Sequence, residues 1–168
     1  MSVAENAETS GVKARENRLF LVVVDDSDEM RVALRFAGMR ALKTGGRVAL
    51  LRVIEPGDFQ HWVAVEEKMR EEQREEAERL LERLGAEVTD FTQQVPILYV
   101  REGIVSEEIV NLIQEEPDIS ILVLGAGTSK KGPGPLVSSL AGKLSGEFPI
   151  PITVVPGTLS DDQIDKLT

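Results

Sequence analysis

Six consecutive apolar residues, Leu19-Phe20-Leu21-Val22-Val23-Val24, end at Asp25-Asp26. A strand with one face in water alternates apolar and polar side chains. An unbroken apolar run therefore marks a strand covered on both faces, the condition of a parallel sheet with helices above and below it. From Glu29 the apolar positions Met30, Ala33, Leu34, Ala37 and Ala41 recur at helical spacing, and Thr44-Gly45-Gly46 supplies a C-terminal cap. The alternation then repeats. Arg47 to Ile54, RVALLRVI, predicts a second buried strand ended by the turn residues Glu55-Pro56-Gly57. Val63 to Leu84 predicts the longest helix, with Val65, Met69, Ala77, Leu80, Leu81 and Leu84 facing inward and a break at Gln73. Glu66 with Arg70 and Glu75 with Arg79, four residues apart, support its solvated face, and the stripe is too short for a coiled coil.

Gln94 to Val100 reads as a third strand, and its internal Pro96 assigns it to a sheet edge. Val105, Ile109, Leu112 and Ile113 mark a third helix ending before Pro117. Ile119 to Leu124 forms a fourth strand that stops at Gly125, where a long loop begins. A short helix from about Ser138 to Gly146 leads through Pro149 and Pro151 into a last strand, Ile152 to Val155. Strands alternating with helices long enough for right-handed crossovers imply an α/β fold, a doubly wound five-stranded parallel sheet with helices on both faces. With strands one to three running to one side and strand four returning beyond strand one, the order is 3-2-1-4-5. The crevice opens where the loops after strands one and four diverge, with Asp25 and Gly125 at its lips. That makes the Gly125 to Ser139 loop the leading candidate for a working site.

A chain of 168 residues is long enough for one well-buried core and too short for two ordinary domains. Residues 1–17 are polar and aperiodic and read as a disordered tail, 18–157 as the domain, and 158–168 as a C-terminal extension. In that extension Ser160 and Gln163 form a capping-box pattern before Ile164 and Leu167, predicting a short helix over Leu159 to Leu167. Nineteen basic against twenty-nine acidic residues give a net charge of −10, which argues against nucleic acid and anionic membranes as partners. The lack of a membrane-length apolar run, of a secretory signal and of cysteine leads to the expectation of a cytoplasmic protein. His61 is the single histidine, so neither a zinc site nor a catalytic triad is expected. Preceding Trp62 at the start of the long helix, it reads as a partly exposed helix-start residue.

The segments VVVDDS at Val22 to Ser27, LRVIEP at Leu51 to Pro56, VREG at Val100 to Gly103, DISILVLGA at Asp118 to Ala126 and PIPITVVP at Pro149 to Pro156 stand in an order and spacing that resembles the universal stress protein family. Members of that family that hold ATP carry a loop glycine, a second three residues on, and a third ten residues later followed by serine or threonine. Here Gly125 fills the first position, Thr128 the second, Ser138 the third, and Ser139 keeps the trailing hydroxyl. The resemblance places adenine and ribose recognition at Asp25 and Val53, and pairs the last strand with its copy, through Val154 and Val155, in a homodimer. Loss of the glycines is similar to the UspA-like branch, which does not retain ATP. The implied protein is a non-catalytic dimeric stress-response module with a degenerate nucleotide pocket, and the alternative is an ATP- or AMP-binding switch.

The residues themselves leave both open. Gly127, Gly132, Gly134, Lys130 and Lys131 could rebuild an anion cradle of another shape, while Pro133 and Pro135 remove two backbone donors from it. An aspartate after a buried strand also caps the turn that follows, a valine there is ordinary core, and Ser139 could cap the fourth helix.

Overall fold

The structure, a computed structural model, describes residues 18–57 and 63–168. The N-terminal tail 1–17 and His61 lie outside the described residues. The elements run β1 (Leu19–Val23), α1 (Asp28–Thr44), β2 (Arg47–Ile54), α2 (Val63–Thr92), β3 (Ile97–Glu102), α3 (Val105–Glu115), β4 (Ile119–Ala126), α4 (Val137–Lys143, with π-type hydrogen bonding), β5 (Ile152–Pro156) and α5 (Asp161–Leu167). All strand pairs are parallel and their order is β3-β2-β1-β4-β5. The fold class and strand order are those that the alternation of the sequence implies.

The apolar run of β1 is explained by its two faces. Phe20, Val22 and Val24 pack into one core with Ala33, Leu34 and Ala37 of α1 and Leu81, Leu84 and Val88 of α2. Leu19, Leu21 and Val23 point the other way, into a core with Ile109, Leu112 and Ile113 of α3 and Leu140 of α4. With every β1 side chain buried, a polar residue at any of its positions would be stranded without water. The strand register Leu19↔Arg47 and Val22↔Val123 aligns the C-terminal ends of β1, β2 and β4 on one rim, which is the rim where open α/β sheets bind ligands.

Two elements differ from expectation. Helix α2 continues eight residues past Leu84, because Gly85 is interior to it: Val88 and Thr92 extend the buried stripe, and the helix ends only at Gln93 in a left-handed conformation with φ 60°. Its other end departs from the core, since no side chain from Val65 to Glu76 is buried. At 1.5 Å per residue that is about 18 Å of helix standing over the rim. Strand β3 begins at Ile97, so Pro96 precedes it rather than interrupting it. The strand is an edge strand, as the proline implies. At the opposite edge, Val155 of β5 is buried in the core shared with α1, whereas Val154 is exposed. Of the two valines expected at a dimer contact, Val155 is therefore occupied inside its own protomer.

The C-terminal extension folds back onto α1. Ser160 accepts from the backbone of Gln163, and the Gln163 side chain accepts from the backbone of Ser160, closing the capping box. A seven-residue helix has too few internal hydrogen bonds to persist alone, so its anchors come from α1. Ile164 is fully buried, Arg35 donates twice to Asp165 at 3.0 and 2.7 Å, and Lys43 donates to the Asp165 carbonyl at 2.6 Å.

Ile164→Ala is expected to lower unfolding stability by about 2–4 kcal/mol, read by urea denaturation. The Arg35 hydrogen bond holds the Asp165 carboxyl below its ordinary value. That contribution is present in full above the usual carboxylate range and is lost as pH falls below about 4. The stability difference between wild type and Asp165→Asn is expected to be constant at neutral pH and to shrink over that acid window.

Candidate functional site

Three hollows lie along the rim. The largest, about 990 Å³, sits over the ends of β1 and β2, with Val24, Asp25, Arg52, Val53 and Glu55 as its floor, Gln73, Glu76, Leu80 and Arg83 of α2 as one wall, and Ile104, Leu136 and Ser139 opposite. A second, about 530 Å³, is lined by Asp28, Glu29, Gly127, Thr128, Lys131 and Ser138. The third occupies the switch point between Asp25 and Gly125 and measures only about 60 Å³, because Pro133 to Val137 fold into it. Pro135 lines all three.

This geometry divides the candidate residues. Asp25, Val53 and Ser139 line the large cleft, whereas Gly127, Thr128 and Ser138 face the second hollow, with Gly125 between them behind Pro135. Asp25 Oδ1 accepts from the Ser27 backbone N–H at 2.9 Å and from the Ser27 hydroxyl, so it closes the turn leading into α1. Val53 is 9% exposed and belongs to the core around β1 and α3. Ser139 does not cap α4, whose N-cap position is Leu136; it is half-buried on the first turn, facing the cleft.

Gly125 is required by packing. A Cβ built there would lie 2.1 Å from the Glu29 carbonyl oxygen, so only glycine allows the first turn of α1 to pass so close to the end of β4. Within the loop, Gly127 N–H donates to the Pro133 carbonyl at 2.9 Å, Gly132 N–H to the Ser129 carbonyl at 3.1 Å, Lys131 N–H to the Ser129 hydroxyl at 3.3 Å and Ser138 N–H to the Gly134 carbonyl at 3.0 Å. Gly132 and Gly134, at φ 99° and 102°, supply the left-handed bends for this self-closed turn. A carboxylate oxygen of Glu29 lies 3.1 Å from where a Cβ on Gly127 would be. Four of the loop's amides are thus spent within it and a carboxylate stands beside Gly127, which leaves fewer donors for an anion than an open cradle has.

The motif reading passed over the arginines. Arg52 lies near the end of β2, after the apolar run Val48 to Leu51, donates to the Val24 carbonyl at 3.1 Å and lies 3.6 Å from Asp26, while Arg79 and Arg83 line the cleft from α2. An arginine inside a buried strand, and Gln73 breaking the apolar stripe of α2, were the available signals. Both occur where their element meets the cleft.

Gly125→Ala is expected to cost at least about 2 kcal/mol of stability, since the clash is with backbone that cannot swing aside. Gly127→Ala should cost less, about 1 kcal/mol, because its tight neighbours, a Glu29 carboxylate oxygen at 3.1 Å and the Gly132 carbonyl oxygen at 3.2 Å, need give only slightly. Chemical denaturation of the two variants side by side measures the contrast.

The sequence pattern of the Universal stress protein family matches residues 16–156. No curated protein matches the chain in sequence. Among solved structures the chain is similar to universal stress protein UspA from Lactobacillus plantarum, with 22% identity, a TM-score of 0.65, and coverage of 83% of this chain and 98% of that one. It is also similar to a universal stress family protein from Burkholderia pseudomallei, with 21% identity, a TM-score of 0.64, and coverage of 85% and 97%. The universal stress protein from Archaeoglobus fulgidus, solved in complex with dAMP, aligns with 18% identity, a TM-score of 0.52, and coverage of 82% and 95%. Identities this low speak to the fold alone. The matched pattern spans all five strands of the sheet, and on that ground the chain belongs to the universal stress protein family.

Proposed function

We propose that this protein is a non-catalytic, dimeric stress-response module of the cytoplasm whose family nucleotide loop does not hold ATP. The observation that carries this reading is the Glu29 carboxylate lodged beside Gly127, in a loop that donates four of its amides to itself. A triphosphate reaching from Asp25 and Val53 to the loop would have to pass Pro135, which has no N–H to offer and stands between the two hollows. Asp25, Val53, Gly125, Gly127, Thr128, Ser138 and Ser139 are, in this reading, the remnant of a nucleotide site. The chain has one histidine and no cysteine, which leaves few means of building a nucleophile with its base. No helix among the described residues is long and apolar enough to cross a membrane.

The alternative, an ATP- or AMP-binding switch, is favoured by the dAMP complex of the Archaeoglobus fulgidus neighbour and by the open cleft beside Asp25 and Val53. Calorimetric titration separates the two. Wild type is expected to give no heat of ATP binding, whereas Glu29→Gln combined with Thr128→Gly and Ser138→Gly, which removes the charge and restores the glycine spacing, should gain it. Micromolar ATP binding by wild type would falsify the main reading.

Dimerisation rests on β5, which pairs with β4 on one side and has no strand on the other among the described residues. An open strand edge invites pairing with a second copy about a two-fold axis. Val154 is the outward valine, at 38% exposure. Val154→Glu should convert the dimer to monomer in sedimentation velocity without changing the circular dichroism spectrum.

A further inference from the structure

We propose that the large cleft binds a small hydroxylated oxyanion, and that its phosphate or carboxylate is taken by Arg79 and Arg83 of α2 rather than by the Gly125 to Ser139 loop. The reading of the loop given above enters only in that the anion is directed away from it. The starting point is the break in the α2 stripe. Met69, Gln73, Ala77, Leu80 and Leu84 share one face at helical spacing, and Gln73 is the polar exception among them. The helix there has left the core and forms a wall of the cleft instead. A polar residue at such a position faces a wet hollow, not a packed interior.

The charges around the hollow are unevenly committed. Asp25 already accepts from Ser27, and Asp26 lies 3.6 Å from Arg52. Arg83 has no ion pair or hydrogen bond among the described residues, and the ion pair of Arg79 is with Glu75 at 3.8 Å, both side chains about two-thirds exposed. A surface pair of that kind holds an arginine only weakly. Two guanidinium groups four residues apart on one helix therefore keep their donor forks available, a geometry that matches the planar oxygens of carboxylate or phosphate.

The rest of the cleft defines the ligand body. Glu55 and Glu76 also line it, and they accept hydrogen bonds without donating them, which suits hydroxyl groups and repels a second negative charge. Among the described residues, aliphatic side chains together with the polar Gln73, Ser106 and Ser139 complete the lining. At about 990 Å³ the hollow lies at the upper end of small-molecule sites. One compact anion on a hydroxylated body meets all of these conditions, and a polyanion does not.

Two matched pairs of probes test this on the intact protein by calorimetry: ribose 5-phosphate against ribose, for a phosphate, and gluconate against glucose, for a carboxylate. The anionic member of at least one pair is expected to bind about ten-fold or more tightly than its neutral partner. Arg79→Gln with Arg83→Gln should erase that preference with the melting temperature unchanged, while Lys130→Ala with Lys131→Ala leaves it intact. Absence of preference in both pairs overturns the proposal, as does a preference that survives the arginine change. If instead the lysine change alone abolishes it, the loop holds the anion, and the reading of the loop as degenerate falls as well. An ATP titration without heat combined with no preference in either pair overturns only the arginine wall.

Discussion

Burial of β1 on both faces is the constraint from which the rest of the structure follows. Phe20, Val22 and Val24 require a helical layer on one side, and Leu19, Leu21 and Val23 require another on the opposite side. Parallel pairing with β2 and β4 then forces each connection to cross the sheet as a helix. One consequence is a common rim where the backbone leaves β1, β2 and β4 together. Another is the close passage of α1 over the end of β4, which Gly125 makes possible by lacking a Cβ. Packing and site geometry meet at that residue, so its presence says more about the α1 contact than about a phosphate.

The loop after β4 is folded on itself by its own residues. Thr128 and Ser138 stand where the resemblance drawn from the sequence would place glycine. Gly132 and Gly134 bend the chain into a turn held by four of the loop's own amides. Pro133 and Pro135 stiffen that turn and fold it into the switch point, shrinking the space between Asp25 and Gly125 to about 60 Å³. The open volume lies instead between β2 and the overhanging part of α2. There the salt bridges of Arg70 and Arg74 to Glu102 tie the helix to the end of β3. Those pairs act at the rim, where solvent weakens each of them, and their value is in fixing where the α2 wall stands rather than in stability.

Much of the fold was legible because it rests on local pattern. Continuous apolar runs identified the buried strands, helical spacing identified α1 and α3, Pro96 identified an edge, and the Ser160 and Gln163 pair marked the start of α5. Errors fell where a local signal competed with tertiary packing. The apolar stripe read from the sequence ends at Leu84, yet α2 runs on because Val88 and Thr92 find the core. Val155 reads as equivalent to Val154 in an apolar strand, yet alternation sends it inward against α1.

The candidate site divides along the same line. By itself the sequence determined the alternation of strand and helix, the strand order that follows from it, and the presence of Thr128 and Ser138 in the loop after β4, because these depend on residue type and spacing along the chain. Only the tertiary structure decided that Asp25 is engaged by Ser27, that Glu29 lies beside Gly127, that Pro135 stands between two hollows, and that Arg52, Arg79 and Arg83 share one of them. Those facts join residues as far apart in number as Glu29 and Gly127, or arise from a helix whose overhang is set by packing elsewhere. No periodicity encodes them, since the distance between two side chains on different elements is fixed by how those elements pack.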